Sequence, residues 1–204
     1  MKNKSTSWNH NYAYNHWVSE KIGNRSRILD VGCGDGTLAL YLRSTDNEIL
    51  GIDISDPAIQ KANKNNSYSN VSFLQTTFED LQENNKNFDA IVFVASIHHM
   101  DMANAIDKAK RLLAKNGVLI IVGLAKPSGL FDWVVELARI IPSKIVSLVK
   151  KNTTSEELDL DVSYDFPAMK EVRQICNEKL CGYTLRYGLH YRYLLTWENN
   201  ETKQ

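Results

Sequence analysis

The sequence predicts an α/β fold in which a mostly parallel sheet of seven strands has helices on both faces. Short apolar runs of strand length alternate with longer segments of helical period, which is typical of parallel α/β units. The cores of these runs are apolar at nearly every position, as expected for strands that are buried on both faces. The C-terminal segment alternates instead, which adds an antiparallel hairpin. We therefore expect a Rossmann-like three-layer sandwich.

Five apolar runs are the candidate parallel strands. They are Arg27–Val31, Glu48–Asp53, Val71–Gln75, Phe88–Val94 and residues 118–124. Residues 183–197 alternate apolar and polar side chains around Gly188, which predicts two strands joined as an antiparallel hairpin. The five parallel strands and this hairpin account for the seven strands.

The segments between the strands have the periodicity of helices. The candidates are residues 37–43, Asp56–Asn65, residues 101–114 and, before the hairpin, residues 166–180. Ser55 or Asp56 can cap the second helix, and Pro57 suits its first turn. The pair Asn116-Gly117 is expected to end the third, because both residue types are common just after a helix.

Composition disfavours several classes of function. Lys plus Arg and Asp plus Glu number 24 each, so the chain lacks the basic excess on which nucleic-acid binding usually relies. No run approaches the roughly 18 apolar residues of a membrane-spanning helix, and the polar N-terminus does not resemble a secretory signal. Cys33, Cys176 and Cys181 lack metal-ligand spacing, so we expect no metal. These features predict a cytoplasmic protein, and they leave open whether it is a monomer or a homodimer.

A loop with three glycines follows the first strand and opens a helix. It runs Asp30-Val31-Gly32-Cys33-Gly34-Asp35-Gly36. Glycine lets a ligand approach the backbone, and in an open α/β sheet this turn lies at the carboxyl edge where ligands bind. Asp53 ends the second strand, where its two oxygens can accept hydrogen bonds from both hydroxyls of a ribose. Together these features favour a nucleoside cofactor over a purely structural turn.

Two classes of cofactor suit such a site. A dinucleotide fold requires Gly-x-Gly-x-x-Gly directly after the strand, but Thr37 occupies the third glycine position counted from Gly32. A permissive frame that starts at Gly34 begins two residues late. The Gly-x-Gly-x-Gly spacing fits S-adenosylmethionine (SAM) instead, which has a sulfonium, an ammonium and a carboxylate but no pyrophosphate. Asp30 would then lie near the cationic end of the cofactor.

Four segments resemble the motifs of the class I SAM-dependent methyltransferases. Residues 27–36 look like the family's first motif, and residues 51–55 are similar to its second. Residues 88–100 resemble the fourth-strand motif of the ubiquinone/menaquinone-type group, and residues 112–119 resemble the step into the fifth strand. Both ends of the chain look like an uncharacterised bacterial subgroup of small methyltransferases. The resemblance implies methyl transfer from SAM to a small molecule, with S-adenosyl-L-homocysteine as the product.

The resemblance also implies which residues contact the cofactor. They are Asp30, Gly32, Cys33, Gly34, Gly36, Asp53, Ile54, Thr77, Phe78, Val94 and Ala95. One departure concerns recognition of the adenine base of SAM, because the family often has an acidic residue at the position that Thr77 occupies here. A hydroxyl there can still hydrogen-bond adenine, and Phe78 can supply an apolar contact.

Two further groups are candidates for the reaction site. His98 and His99 follow the fourth strand, where methyl donor and acceptor are expected to meet, and either is a candidate general base. The alternative is that one of them binds backbone carbonyls and shapes the pocket. Trp8, His10 and Tyr14 make the N-terminus aromatic, and we interpret it as a lid over the cofactor and the acceptor. The alternative is an amphipathic helix packed on the sheet.

The chain is expected to form a single methyltransferase domain over residues 1–204. Its parts are a lid-like segment (1–25), a cofactor-binding core (26–124), a substrate-side cap (125–165) and a C-terminal helix and hairpin (166–204). The cap contains an apolar stripe over residues 130–141, ended by Pro142. Ordinary core packing and peripheral membrane contact are alternatives for this stripe.

Other functions compete with small-molecule methylation. Methyltransferases that act on the amino groups of nucleic-acid bases typically have Asn/Asp-Pro-Pro-Tyr/Phe after the fourth strand, whereas residues 94–98 are Val-Ala-Ser-Ile-His. This difference and the zero net charge disfavour an RNA methyltransferase, and a protein substrate is also a less favoured alternative. A non-catalytic SAM-binding partner subunit would share the glycines and Asp53. The glycine spacing disfavours an NAD-dependent oxidoreductase.

Overall fold

The computed structural model describes residues 13–82, 87–126, 166–188 and 191–200. The helices in this part of the chain are α1 (Asn15–Ile22), α2 (Thr37–Leu42), α3 (Asp56–Asn65), α4 (Met102–Leu112) and α5 (Met169–Lys179), with a short 3₁₀ helix at Ile97–His99. The strands are β1 (Arg27–Val31), β2 (Glu48–Asp53), β3 (Val71–Gln75), β4 (Phe88–Val94), β5 (Leu113–Leu124), β6 (Thr184–Tyr187) and β7 (Arg192–Glu198).

The seven strands form one sheet in the order β3-β2-β1-β4-β5-β7-β6. Strands β1 to β5 are parallel, and β7 runs antiparallel to both β5 and β6. The predicted fold class is therefore confirmed. The strand order reverses between β1 and β4, which opens a crevice at the carboxyl edge of the sheet between the loops that follow these two strands.

The sheet has two apolar faces because successive side chains of a strand point to opposite sides. On one face, Leu29, Ile91 and Leu119 pack against α4 and α5. On the other face, Ile28, Val92 and Ile120 pack against α1 and α2, through side chains that include Val18, Ile22 and Leu42. Helices on both faces explain why the strand cores carry no polar alternation.

Side chains cap the starts of two helices, and the first of these caps was predicted from the sequence. The Oγ of Ser55 accepts a hydrogen bond from the backbone N–H of Ala58 at 3.4 Å, with Pro57 in the first turn of α3. The carboxylate of Asp101 accepts from the backbone N–H of Asn104 at 2.8 Å and so begins α4. Each cap satisfies one of the N–H groups that a helix leaves unpaired at its start.

The boundary between α4 and β5 differs from the prediction. Helix α4 ends at Leu112, and β5 begins at Leu113, which pairs with the first residue of β4. The expectation that Asn116-Gly117 ends the helix is therefore wrong. The physical reason lies after β7, where Asn199 exchanges backbone hydrogen bonds of 2.8 Å with Asn116 and Gly117 and draws this segment into the sheet.

Several predicted features lie outside the described residues. They are the apolar stripe at 130–141, Pro142, and the aromatic residues Trp8 and His10. In the described ranges, no helix combines the length and the apolar character that crossing a membrane requires.

Candidate active site

The glycine loop after β1 is held against the end of β2 by its backbone. The N–H groups of Gly32 and Cys33 both donate to the carbonyl of Ile52, at 2.8 and 3.0 Å, and Gly36 N–H donates to the carbonyl of Cys33 at 3.0 Å. The loop therefore reverses direction within a few residues and starts α2 at Thr37. This tight turn brings the carboxyl ends of β1 and β2 together.

Gly32 and Gly34 both have positive φ, but for different purposes. A Cβ at Gly32 would lie 2.4 Å from the Cβ of Ser96, so this glycine permits close packing against the loop after β4. A Cβ at Gly34 would meet nothing within 4 Å. Gly34 therefore faces open space, and a ligand can approach its backbone there.

The carboxylate of Asp53 is oriented by two backbone N–H groups. Its Oδ2 accepts from Gly34 at 2.9 Å, and its Oδ1 accepts from Ser55 at 2.9 Å. A carboxylate oxygen has two lone pairs, so each oxygen keeps one for a further donor. Two adjacent hydroxyls of a ribose match this arrangement.

Asp30 is almost fully buried, with 1% of its surface exposed, and its Oδ2 has no hydrogen-bond partner among the described residues. Burial and, second, the nearby charge of Asp53 raise the pKa of Asp30 to about 7, although a hydrogen bond to the backbone of Ala39 opposes this. An unsatisfied buried carboxyl group is costly unless a cation or donor reaches it. The site therefore fits a ligand that carries a positive charge, as SAM does.

The end of β4 closes the site from the other side. Ala95 has a positive φ of 53°, unusual for a residue with a Cβ, and its N–H donates to the carbonyl of Val122 at 2.8 Å. The buried Ser96 hydroxyl donates to the carbonyl of Val31 at 2.6 Å and so ties β4 to β1. Ser96 is not among the site residues predicted from the sequence, although a serine two positions after a buried strand was a usable signal. Val94 is half-buried at this edge.

The residues expected near the adenine base of the cofactor have different environments. Ile54 is 70% exposed, unusual for a large apolar side chain, and lies next to Asp53. The Thr77 hydroxyl donates to the carboxylate of Asp80 at 2.7 Å and accepts from the Asp80 N–H at 2.9 Å. The Phe78 ring is buried edge-on against Phe93 at 5.2 Å, so its place is in the core rather than on an open face.

A cavity of about 470 Å³ lies beyond the carboxyl ends of β4 and β5, on the face of α4 and α5. Its walls include the apolar Ile97, Met100, Met102, Phe166 and Ile175 and the polar His98, Lys126, Glu171 and Tyr193. This volume is in the range typical of sites for small molecules. The walls combine apolar side chains with polar and charged ones, which suits a compact ligand that carries both kinds of group.

The two histidines are not equivalent. His98 is half-buried, lines the cavity, and lies edge-on to Phe166 with 5.0 Å between ring centres. Its Nδ1 is buried and has no partner in the described part of the chain. Burial and the proximity of His99 lower the pKa of His98 to about 4, so the ring is neutral at pH 7. His99 is exposed and does not line the cavity.

Tyr14 lies away from this cavity. Its side chain is buried with α1 and α2 on the opposite face of the sheet, and the guanidinium of Arg192 lies 5.8 Å from its ring centre. The segment from Asn15 onward is a helix packed on the sheet. Tyr14 thus packs on the face of the sheet opposite the cavity, whereas Trp8 and His10 lie outside the described residues, so the lid stays a prediction.

Comparison with known proteins connects this geometry to one family. The model of a methyltransferase domain matches residues 22–180, which is more than half of the chain. An uncharacterised methyltransferase of Mycobacterium tuberculosis is 27% identical over 193 residues, covering 93% of this chain and 96% of the relative. A ubiquinone biosynthesis O-methyltransferase of Alkalilimnicola ehrlichii is 36% identical over 110 residues, covering 51% of this chain and 44% of that protein.

A solved structure has the same fold at low sequence identity. The N-methyltransferase NodS of Bradyrhizobium japonicum, crystallised with S-adenosyl-L-homocysteine, aligns with a TM-score of 0.62 and 17% identity. The alignment covers 98% of this chain and 94% of NodS. Similarity over nearly the whole of both chains places the seven-stranded sheet in the methyltransferase type of α/β fold.

Proposed function

The chain belongs to the methyltransferase domain family, and from that premise we propose that it methylates a small molecule that carries both apolar and polar groups. It is a SAM-dependent methyltransferase, and S-adenosylmethionine is its methyl donor. The resemblance found in the sequence is therefore confirmed at the level of family and cofactor. The acceptor is the new part of the proposal, and the cavity beside His98 is the observation that supports it.

The bound cofactor would supply a methyl group on a sulfonium centre, and the protein would supply position and electrostatics. Asp53 would accept the two ribose hydroxyls on its remaining lone pairs, oriented by Gly34 and Ser55. Gly34 would let the cofactor approach the backbone, since no side chain occupies that space. Asp30 would face the cationic end, where a positive charge lowers the cost of ionising its buried carboxyl group.

His98 would orient the acceptor in this arrangement. A neutral imidazole has one donor and one acceptor nitrogen, so the unpartnered Nδ1 can make one hydrogen bond to a hydroxyl or amine in the cavity. A pKa of about 4 makes His98 a weak base at neutral pH. We therefore assign it positioning of the acceptor rather than storage of its proton.

The acceptor class can be tested by following labelled methyl groups from SAM. The enzyme is incubated with a bacterial extract separated into dialysable small molecules, RNA and protein, and we expect label in the small-molecule fraction. Ala168→Phe, which places a ring in the cavity, should reduce this transfer by about tenfold or more while affinity for S-adenosylhomocysteine stays unchanged. Lys170→Phe, at an exposed position of α5, is the matched control.

Two results would contradict the proposal. Label found only in RNA or protein would point to a macromolecular acceptor. Full transfer by Ala168→Phe would show that the acceptor binds elsewhere. A protein that binds S-adenosylhomocysteine but labels none of the three fractions would match a non-catalytic partner subunit.

A further inference from the structure

Lys108 is a buried lysine on α4. Only 9% of its surface is exposed, whereas lysine is almost never buried without partners. Its Nζ donates to the backbone carbonyls of Glu79 and Leu81, at 2.7 and 2.8 Å. The same nitrogen lies 5.7 Å from the centre of the Phe78 ring. The ammonium group therefore connects helix α4 to one short turn of the chain.

That turn, residues 77–81, follows β3 and is fixed by several contacts. At its start, the Thr76 N–H donates to the carbonyl of Asp53 at 3.0 Å. Within the turn, Thr77 and Asp80 exchange the two hydrogen bonds already described. Phe78 and Leu81 are both buried in the core on the α4 face. Lys108 adds the contact that links the backbone of the turn to a helix.

The position of the turn relates it to the base of the cofactor. In the sheet, β3 is the neighbour of β2 on the side away from the glycine loop. A nucleoside whose ribose is bound by Asp53 can extend its base toward that side, where the side-chain amide of Gln75 also donates to the carbonyl of Ile54 at 3.3 Å. Selecting one base over another requires donors and acceptors held at fixed positions.

We propose that Lys108 is a positioning residue for recognition of the adenine base. By binding two carbonyls of the turn, it holds the Thr77 hydroxyl and the neighbouring backbone where they can hydrogen-bond the polar edge of the base. Thr77 already donates to Asp80, and an oxygen that donates to a carboxylate is a better acceptor for its remaining lone pair. Lys108 does not itself contact the ligand. The inference rests on the SAM site of the proposed function and extends it to base selectivity.

The test compares two ligands that differ only in the base. Calorimetric titration measures affinity for S-adenosylhomocysteine and for S-inosylhomocysteine, in which an oxo group replaces the amino group of adenine. We expect the wild type to prefer the adenine compound. Lys108→Met should lower the affinity for the adenine compound by about tenfold and change the affinity for the inosine compound by less than about threefold, so the preference for adenine is lost. Lys108→Arg, which keeps a charged donor, should retain most of the preference.

Lys110→Met is the matched control on the same helix. Lys110 also donates to a backbone carbonyl, that of Lys179 at 3.1 Å, and its Nζ lies 5.4 Å from the ring centre of Trp197, away from the turn. Its replacement should leave the ratio of the two affinities unchanged. If Lys108→Met does not fold, Lys108→Gln takes its place, because it keeps a neutral donor on a shorter side chain.

The ratio of affinities separates positioning from a general structural role. An equal loss for both ligands, or unchanged affinity for both in a folded variant, would overturn the inference. If only the proposed acceptor is wrong, the result is different, because the wild type would still bind S-adenosylhomocysteine and prefer it to the inosine compound. Absence of any binding by the folded wild type would overturn both.

Discussion

Asp30 and Asp53 are neighbouring carboxylates that differ in their hydrogen bonding. Asp53 receives two backbone N–H groups, whereas the buried Oδ2 of Asp30 has no partner in the described residues. The pKa of Asp30 in the folded protein, about 7, is above the ordinary aspartate value of 3.8. Stability from this group is therefore fully present below about pH 4 and is lost as the pH rises through about 7. At neutral pH the buried carboxyl group of Asp30 therefore lowers the stability of the fold, which is consistent with a role of Asp30 in binding a cation rather than in folding.

Replacement of Asp30 should separate stability from ligand binding. Asp30→Asn removes the ionisation, so we expect the ligand-free variant to be more stable than the wild type at about pH 8, by on the order of a few kcal/mol, and the difference to shrink steadily toward about pH 4. Affinity for SAM should fall, because the variant lacks the negative charge. Thermal unfolding across this pH range measures the first effect, with the exposed Asp46→Asn as control. Parallel pH profiles of Asp30→Asn and wild type would contradict the assignment.

At the scale of elements, the pairing of β5 with β7 contributes one wall of the cavity beside His98. Gly123 of β5 pairs directly with Tyr193 of β7. The absence of a side chain at Gly123 lets the Tyr193 ring lie over the strand, since a Cβ there would come within 2.2 Å of the ring. The Tyr193 hydroxyl reaches the sulfur of Met102 at 3.9 Å, and both residues line the cavity. The antiparallel hairpin thus contributes to the cavity as well as to the edge of the sheet.

The packing of this pair can be measured by a double-mutant cycle. Gly123→Ala should lower the free energy of unfolding by about 1–3 kcal/mol through overpacking. In a Tyr193→Leu background the same change should cost much less, because the ring is gone. Denaturant unfolding of the four proteins gives the coupling energy. Additive effects of the two substitutions would show that the contact does not constrain β5.

At the scale of the whole molecule, the site joins residues that are distant in the sequence. The loops after β1, β2, β3 and β4 meet at one edge because these four strands are parallel neighbours. No single loop contains all the candidate cofactor-binding residues, so the geometry of this candidate site depends on the folded sheet. A ligand that binds only this arrangement should stabilise the whole domain.

Ligand binding should therefore raise the unfolding temperature in a way that depends on Asp53. S-adenosylhomocysteine at about 100 times its Kd should add about 2.7 kcal/mol to the free energy of unfolding. For a chain of this length the unfolding temperature should rise by about 5–10 °C. Asp53→Ala should lose most of this increase at the same ligand concentration, and Asp46→Ala should keep it. An equal increase in Asp53→Ala would show that the ribose is not bound by this carboxylate.

The sequence by itself determined the features that depend on local periodicity. The bounds of β1 to β4 and of α3 agree with the apolar runs and the Ser55 cap, because burial of strand faces and helix capping act over a few residues. The antiparallel hairpin of β6 and β7 was predicted from the alternation of apolar and polar side chains in residues 183–197. The glycine loop and Asp53 predicted a cofactor site at one edge of the sheet, and the structure brings the two together through the hydrogen bond from Gly34 to Asp53.

The tertiary structure decided what depends on contacts between distant segments. Asn116 and Gly117 belong to β5 because Asn199 binds their backbone, and Phe78 is a core residue because Phe93 lies opposite it. Lysine is usually a surface residue. Only the hydrogen bonds of Lys108 to two carbonyls, 29 and 27 positions earlier in the sequence, show that it is buried against the turn after β3. Such pairings are set by the packing of the sheet and its helices, and no local pattern encodes them.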